Sequence, residues 1–126
     1  MCGIIGVTGI ADASRVAYLG LYSLQHRGQE SCGIVAVDGE GAARSHRGMG
    51  LVSDVFDEPV LSGLPGDVAI GHARYSTAGT SVLANAQPML ARYREGPLAL
   101  VHNGNLTNAV QLRSDLVTKG SIFQSS

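Results

Sequence analysis

The sequence predicts a layered fold of strands and helices, and three observations carry that expectation. Apolar runs of strand length, such as Gly3 to Ile10, Cys32 to Val37 and Pro97 to Asn103, alternate with stretches of helical character. The stretch Arg15 to Gln25 is apolar on both sides, with Val16, Leu19 and Leu24 on one face and Tyr18, Leu21 and Tyr22 on another. Such a helix is expected inside a layer rather than on a surface. The composition, 44% hydrophobic and 15% charged, argues against disorder. A chain of 126 residues is one domain at most. It buries about two-thirds of its unfolded surface, enough for a core.

Each element has its own local signal. Gly3 to Ile10 reads as the first strand, and Asp12 or Ser14 as a cap for the helix Arg15 to Gln25. After the polar loop Gln25 to Ser31, Cys32 to Val37 forms a second strand. Asp38-Gly39 turns it into a third, Ala42 to Arg47. Leu51 to Phe56 reads as a short helix, followed by a Pro/Gly-containing loop through Gly66. Asp67 to Tyr75 and Pro97 to Asn103 read as two further strands, each ending in polar residues. Thr107 is the expected cap of a helix from Asn108 to Lys119, with Leu106, Ala109, Val110, Leu116 and Val117 on its apolar face. Lys119 and Gly120 form its stop. Ile122-Phe123 then begins an element that the chain does not finish, so residues 1–126 are expected to be an incomplete fragment of a larger protein.

Composition also excludes function classes. A net charge of -1 leaves no basic excess for nucleic acid or an anionic membrane. No apolar run approaches the roughly 20 residues of a membrane span, and the start lacks a secretory signal. The only cysteines, Cys2 and Cys32, are too few for a disulfide framework, so a cytoplasmic protein with free thiols is expected. His26, His46, His72 and His102 are far apart and lack H-x-x-x-H spacing, so no metal site is expected from them and the cysteines. Many of the 17 glycines stand beside His, Arg or Asn, which suggests loops shaped around a site.

Cysteine stands directly behind the initiator methionine in Met1-Cys2-Gly3-Ile4-Ile5-Gly6. Initiator methionines are trimmed before small residues, which would put a thiol and an α-amino group on one residue. Free groups of these kinds titrate near about 8.5 and about 7.7–8.0, so the amine can take the thiol proton. The result is a nucleophile with its own general base. The competing reading is a small apolar residue opening a strand, and Cys2 alone favours it.

His72-Ala73-Arg74-Tyr75-Ser76-Thr77 ends a strand, and strand alternation puts His72, Arg74 and Ser76 on one face. Arg74 among hydroxyls suits a carboxylate; a surface arginine paired with an acid elsewhere fits equally well. In His102-Asn103-Gly104-Asn105-Leu106, an asparagine amide beside a glycine N–H offers two donors to an oxyanion. Asn-Gly is also the commonest tight-turn pair, and in isolation the turn reading prevails. The loop Gln25 to Ser31 either braces a site or connects two elements through solvent.

Together these runs resemble the class II, N-terminal-nucleophile glutamine amidotransferases. That superfamily shares Cys-Gly-Ile at the start, His-x-Arg at a strand end and His-Asn-Gly after another strand. Within it, three runs look like those of amidophosphoribosyltransferases: Leu24-Gln25-His26-Arg27-Gly28-Gln29-Glu30-Ser31, His72-Ala73-Arg74-Tyr75-Ser76-Thr77-Ala78-Gly79, and His102-Asn103-Gly104-Asn105-Leu106-Thr107-Asn108. The glucosamine-6-phosphate synthase branch, with Tyr-Arg-Gly-Tyr-Asp and Trp-Ala-Thr-His-Gly, does not fit. Neither does asparagine synthetase, with His-Arg-Gly-Pro-Asp.

The resemblance implies an α+β fold, the four-layer αββα sandwich of N-terminal-nucleophile hydrolases. Residues 1–126 would be the N-terminal part of its amidotransferase domain. The rest of that domain and a phosphoribosyltransferase domain would lie outside them. Cys2 would be the nucleophile, and the Asn103 side chain and Gly104 N–H the oxyanion hole. Arg74 would hold the glutamine α-carboxylate, with Tyr75, Ser76 and Thr77 shaping that pocket. His26, Arg27 and His102 would support the site. Glutamine would be hydrolysed through a glutamyl thioester, and its ammonia passed to phosphoribosyl pyrophosphate. That gives 5-phosphoribosylamine, in the first committed step of purine synthesis.

The same resemblance implies no cofactor in residues 1–126, Mg2+ in the phosphoribosyltransferase domain, a homo-oligomer and a cytoplasmic location. An iron–sulfur cluster, which some members bind through later cysteines, stays open. The family's acidic residue that grips the substrate ammonium follows a Ser-Ser run, and this chain ends at Ser125-Ser126. Residues 1–126 alone are therefore expected to hydrolyse little or no glutamine, and removal of Met1 is expected to suffice for maturation. Two alternatives remain: another class II amidotransferase, or a non-catalytic binding or assembly module.

Overall fold

The computed structural model describes residues 1–75 and 80–125. It is a mixed α/β domain organised on an antiparallel sheet in the order β1–β4–β2–β3. The strands are β1 (Gly3–Thr8), β2 (Ser31–Val37), β3 (Ala43–Met49) and β4 (Val68–Arg74). Gly3 pairs with Ala73 and Thr8 with Val68, so the start of β1 lies against the end of β4. This register carries Cys2 to the polar residues at the end of β4. β1 stops two residues short of the expected Ile10, where Gly9 turns with φ +73. Between β2 and β3, the Asp38 carboxylate accepts from the N–H groups of Glu40 (3.1 Å) and Ala42 (2.9 Å), the turn that Asp38-Gly39 predicted.

Helix α1 (Ala13–Ser23) packs on one face of the sheet. Ala13, Ala17 and Leu21 meet Cys32, Ile34 and Ala36 of β2 and Ala69 and Ala73 of β4 in one core. Small residues let helix and sheet approach closely. A Cβ at Gly20 would lie 1.9 Å from Ile5 Cδ1, and one at Gly71 would lie 2.9 Å from Leu21 Cδ1. The expectation of a helix buried on both sides is corrected. The sheet covers only the Ala13–Ala17–Leu21 side, while Val16, Leu19 and Tyr22 are exposed. Neither expected cap acts through its side chain. Asp12 sits at the N-cap with φ 57 and makes no side-chain cap bond. Ser14 lies inside the helix, where its buried hydroxyl donates to Leu64 O at 2.7 Å.

Two short helices, α2 (Val52–Val55) and α3 (Glu58–Ser62), close the far end of this core with Val52, Phe56, Leu61 and Leu64. α3 falls where a loop was expected. Asp57 caps it by accepting from Val60 N–H at 2.9 Å, and Pro59 stands in its first turn.

Residues 80–103 cross the opposite face of the sheet. Arg47 Nη1 donates to Ala86 O at 2.7 Å, and a Cβ at Gly33 would lie only 2.3 Å from Gln87 O. The absence of a side chain at Gly33 therefore lets the crossing segment seat. It contains a 3-10 turn (Leu83–Asn85) and β5 (Met89–Tyr93), neither of which the sequence suggested. β5 pairs with β6 (Gly96–Leu100) in a separate two-stranded sheet, and β6 ends before the expected Asn103. Helix α4 (Ala109–Thr118) follows and buries none of its residues. Its N-cap is Asn108, one residue beyond the expected Thr107, and makes no side-chain cap bond. Among the described residues, no helix is long and apolar enough to cross a membrane.

Candidate active site

A cleft of about 270 Å³ opens at the end of the sheet where β1 begins and β4 ends, with Cys2, Arg74, Tyr75, Gln87, Asn103 and Gly104 in its wall. Cys2 is half-buried. Its Sγ lies against the backbone of Tyr75, which donates its N–H to the sulfur at 3.5 Å and presents its carbonyl at 3.7 Å. Arg27 Nε donates to Cys2 O at 3.2 Å. Cys2 N–H donates to Asn103 Oδ1 at 3.2 Å. An N–H can only donate, so this bond fixes which end of the Asn103 amide faces Cys2 and leaves the NH2 group as a donor elsewhere.

The loop that carries Arg27 is held by its neighbours. Gln25 donates through Nε2 to Gly28 O and accepts from Val52 N–H, both at 2.6 Å. Gly28 lies on the backbone of β4, where a Cβ would come within 2.5 Å of Ala73 O. The loop is therefore a brace against the end of the sheet next to Cys2, not a solvated connector. Arg27 contributes directly, while His26 is exposed on the 3-10 turn Gln25–Arg27.

Arg74 is buried and paired with Glu30, and its Nη1 also reaches Thr80 O. The backbone ties the pair as well, because Glu30 N–H donates to Arg74 O at 3.1 Å. Arg74 has an acidic partner, yet it is not on the open surface, and it lines the cleft beside Cys2. The expected shared face of His72 and Arg74 is present, and both side chains are buried. Ser76 and Thr77 lie outside the described residues.

His102, Asn103, Gly104 and Asn105 are all exposed and form the other wall. Gly104 has φ +145, a conformation that favours glycine, so its N–H is presented in a way that a side chain would oppose. The backbone of His102 bonds on both sides, to His72 Nε2 through its carbonyl and to Gln87 Oε1 through its N–H. Burial pushes the His72 imidazole below its ordinary value against the opposing hydrogen bond to the His102 carbonyl, and the nearby charge of Arg74 adds to the lowering. The other thiol is different from Cys2: Cys32 is buried in the core and burial pushes it up to about 12. Among the described residues, no group of three or more His, Cys, Asp or Glu side chains gathers as a metal site would.

Over 99% of its length the chain is 54% identical to chloroplastic amidophosphoribosyltransferase 2 of Arabidopsis thaliana, covering 22% of that protein. It is 52% identical to the amidophosphoribosyltransferase of Lacticaseibacillus casei, again over 99% of the chain and over 64% of the relative. The glutamine phosphoribosylpyrophosphate amidotransferase of Bacillus subtilis, solved with ADP and GMP, matches its structure with a TM-score of 0.89. That match is at 50% identity and covers 99% of this chain and 27% of the other. The chain is similar over nearly its whole length to amidophosphoribosyltransferases. It corresponds to the N-terminal region of those proteins and spans about a quarter of the length of most of them. No protein-family model matches it.

The cleft brings Cys2, Arg74, Tyr75, His102, Asn103 and Gly104 together. Arg27 reaches the carbonyl of Cys2 from outside the cleft lining. Two residues were given no place in the site by sequence reasoning, Glu30, the partner of Arg74, and Gln87, in the cleft wall, while His72, behind the loop, was placed on the face of Arg74 but given no role. Glu30 stood inside a run read as either a brace or a solvated connector, and a charge to balance a buried Arg74 was the available signal. Gln87 had none, because it sits in a stretch without pattern.

Proposed function

We propose that this chain is the glutamine-hydrolysing part of an amidophosphoribosyltransferase. The observation that carries the reading is the convergence of Cys2, Arg74, Asn103 and Gly104 on one cleft in a chain similar to those enzymes. Cys2 Sγ attacks the side-chain amide carbon of glutamine, and the amide oxygen becomes an oxyanion. Asn103 Nδ2 and Gly104 N–H donate to it, and one such donor is worth roughly 10²–10³ in kcat. Ammonia leaves with a proton, and water hydrolyses the γ-glutamyl thioester to glutamate and the free thiol.

The thiol proton goes to the α-amine of Cys2, a base that exists once Met1 has been removed. With Met1 attached, Cys2 N is an amide nitrogen without a basic lone pair. Arg74 holds the substrate α-carboxylate, held in turn by Glu30, and Tyr75, Ser76 and Thr77 shape that end of the pocket. His26, Arg27 and His102 support the walls.

In the whole protein the ammonia displaces pyrophosphate from phosphoribosyl pyrophosphate and gives 5-phosphoribosylamine for purine synthesis. Mg2+ belongs to the phosphoribosyltransferase part. The described residues gather no acidic group that fits it, and it enters no step here. The remaining assignments are a four-layer αββα sandwich, a homo-oligomer and a cytoplasmic location.

The test uses the full-length protein. Cys2→Ala is expected to lower glutamine-dependent synthesis more than about a thousandfold while ammonia-dependent synthesis survives. Equal loss of both would remove Cys2 from the role. Intact mass should show Met1 absent and a glutamine-analogue electrophile adding one label at Cys2. Cys32, buried and poorly ionised, should stay unlabelled. A retained Met1 with no label would favour the non-catalytic module.

A further inference from the structure

The oxyanion donors sit on an exposed loop, yet the residue in front of them is tied from two sides. His102 O faces His72 Nε2 at 3.2 Å, and His102 N–H donates to Gln87 Oε1 at 2.6 Å. A carbonyl only accepts, so the imidazole nitrogen facing it carries the proton. The ring is therefore the Nε2–H tautomer, and Nδ1 is buried with no partner among the described residues. Each of these bonds fixes one rigid peptide plane: the plane before His102 through its N–H, and the plane after it through its C=O. The second plane contains the N–H of Asn103. With both planes held, the φ and ψ of His102 are set, and so is the direction in which Asn103 and Gly104 leave.

The two anchors come from opposite sides of the seam. His72 is on β4, two residues before Arg74, and is fully buried in the sheet. Gln87 is on the crossing segment that seats over Gly33. The loop is thus referenced both to the sheet that carries Cys2 and to the segment lying on it.

We propose that His72 and Gln87 are positioning residues that hold the Asn103–Gly104 donors at the angle the oxyanion requires. The proposal rests on the glutaminase reading. Donors must be held within about 0.5 Å of the productive geometry, and a misplacement of about 1 Å can cost about 10²-fold in rate. Because His72 acts through backbone and not on substrate, its loss falls on the transition state and leaves ground-state binding in place.

Three variants of the full-length protein test this. His72→Gln puts an amide N–H where imidazole Nε2–H stands, whereas His72→Asn puts it where Nδ1 stands, out of reach of His102 O. Gln87→Met keeps chain length and removes the acceptor. We expect His72→Asn and Gln87→Met to lower glutaminase kcat by about 10- to 100-fold with KM within about 3-fold, and His72→Gln to restore most of kcat. Amide hydrogen exchange at Asn103, Gly104 and Asn105 should quicken in the two defective variants and not in His72→Gln. Unchanged protection of the β2 amides verifies folding in all three.

A His72→Gln protein as slow as His72→Asn would overturn the proposal, as would a loss in KM alone or unaltered exchange in the loop. If the parent protein hydrolyses no glutamine, the underlying reading fails and the proposal with it. If it does so and the variants match it, the proposal fails alone.

Discussion

Residues 1–75 and residues 80–125 are assembled in different ways. In the first region, Leu21, Ile34, Ala36 and Val52 are fully enclosed between α1, the sheet and α2. In the second, α4 buries nothing, Val110 is 86% and Ile122 90% exposed, and Leu98 and Leu100 of β6 face solvent. A hollow of about 530 Å³ lies along α4, lined by Leu106, Val110, Leu116 and Phe123, but it holds none of the site residues. The difference matters because the candidate site draws from both. Cys2 and Arg74 stand on the enclosed sheet, whereas Asn103 and Gly104 stand on a loop of the open region. The two walls are joined by specific polar contacts, Cys2 with Asn103 and His72 with His102 among them. Apolar burial gives the first region its rigidity, while directed hydrogen bonds place the second.

The sharpest break in that comparison should come from removing a charge inside the enclosed region. Arg74 and Glu30 are paired with side-chain exposures of 9% and 14%. Glu30→Ala would leave the guanidinium buried without its carboxylate, and the expected loss is about 3–5 kcal/mol in chemical denaturation. A loss under about 1 kcal/mol would mean that the pair is effectively solvated and that Arg74 is held by other contacts. The next effect contrasts the regions directly. Leu21→Ala should cost about 2–5 kcal/mol, since α1 and the sheet cannot collapse onto the space left. Val110→Ala on α4 should stay within about 0.5 kcal/mol. Comparable losses at both positions would show that α4 is packed in solution and that the two regions do not differ.

The first region was also the more legible in sequence. β1, β2, β3 and β4 lie within two residues of their expected bounds, because β1, β2 and β4 are apolar runs closed by Gly, Asp or polar residues and the polar β3 follows β2 through the Asp38-Gly39 turn. The face of α1 was misjudged because its burial relies on Ala13 and Ala17, whose small side chains allow close approach but give little periodic signal. The cap of α3 was readable, in Asp57 followed by Pro59, and was taken as loop because five residues leave no room for a period. β5 was missed because Met89–Tyr93 mixes Arg92 into a short apolar run. Of the site, Cys2, Arg74 and Asn103-Gly104 were visible as local motifs, but their meeting was not. That convergence depends on the β1–β4 register and on the crossing segment, which are contacts between residues far apart in the chain.

The smallest effect expected is a pH dependence that belongs to His72 alone. Burial, reinforced by Arg74 and His102, holds its folded value below the ordinary 6.5, although the bond to His102 O opposes the shift. Above 6.5 the ring is neutral in both the folded and the unfolded chain and adds no pH dependence. As pH falls through 6.5, the unfolded chain takes up a proton that the folded one refuses. Stability then declines by at most about 1.4 kcal/mol per pH unit until the folded value is reached. Glu58, which Arg15 holds below the ordinary carboxylate value, acts in a more acidic window and does not overlap this one. Denaturation of the parent protein and His72→Gln at pH 7.5, 6.5 and 5.5 isolates the contribution. The two should diverge below pH 6.5, with the parent losing stability faster. Parallel curves would mean that His72 is protonated in the fold, with the carbonyl of His102 outweighing its burial.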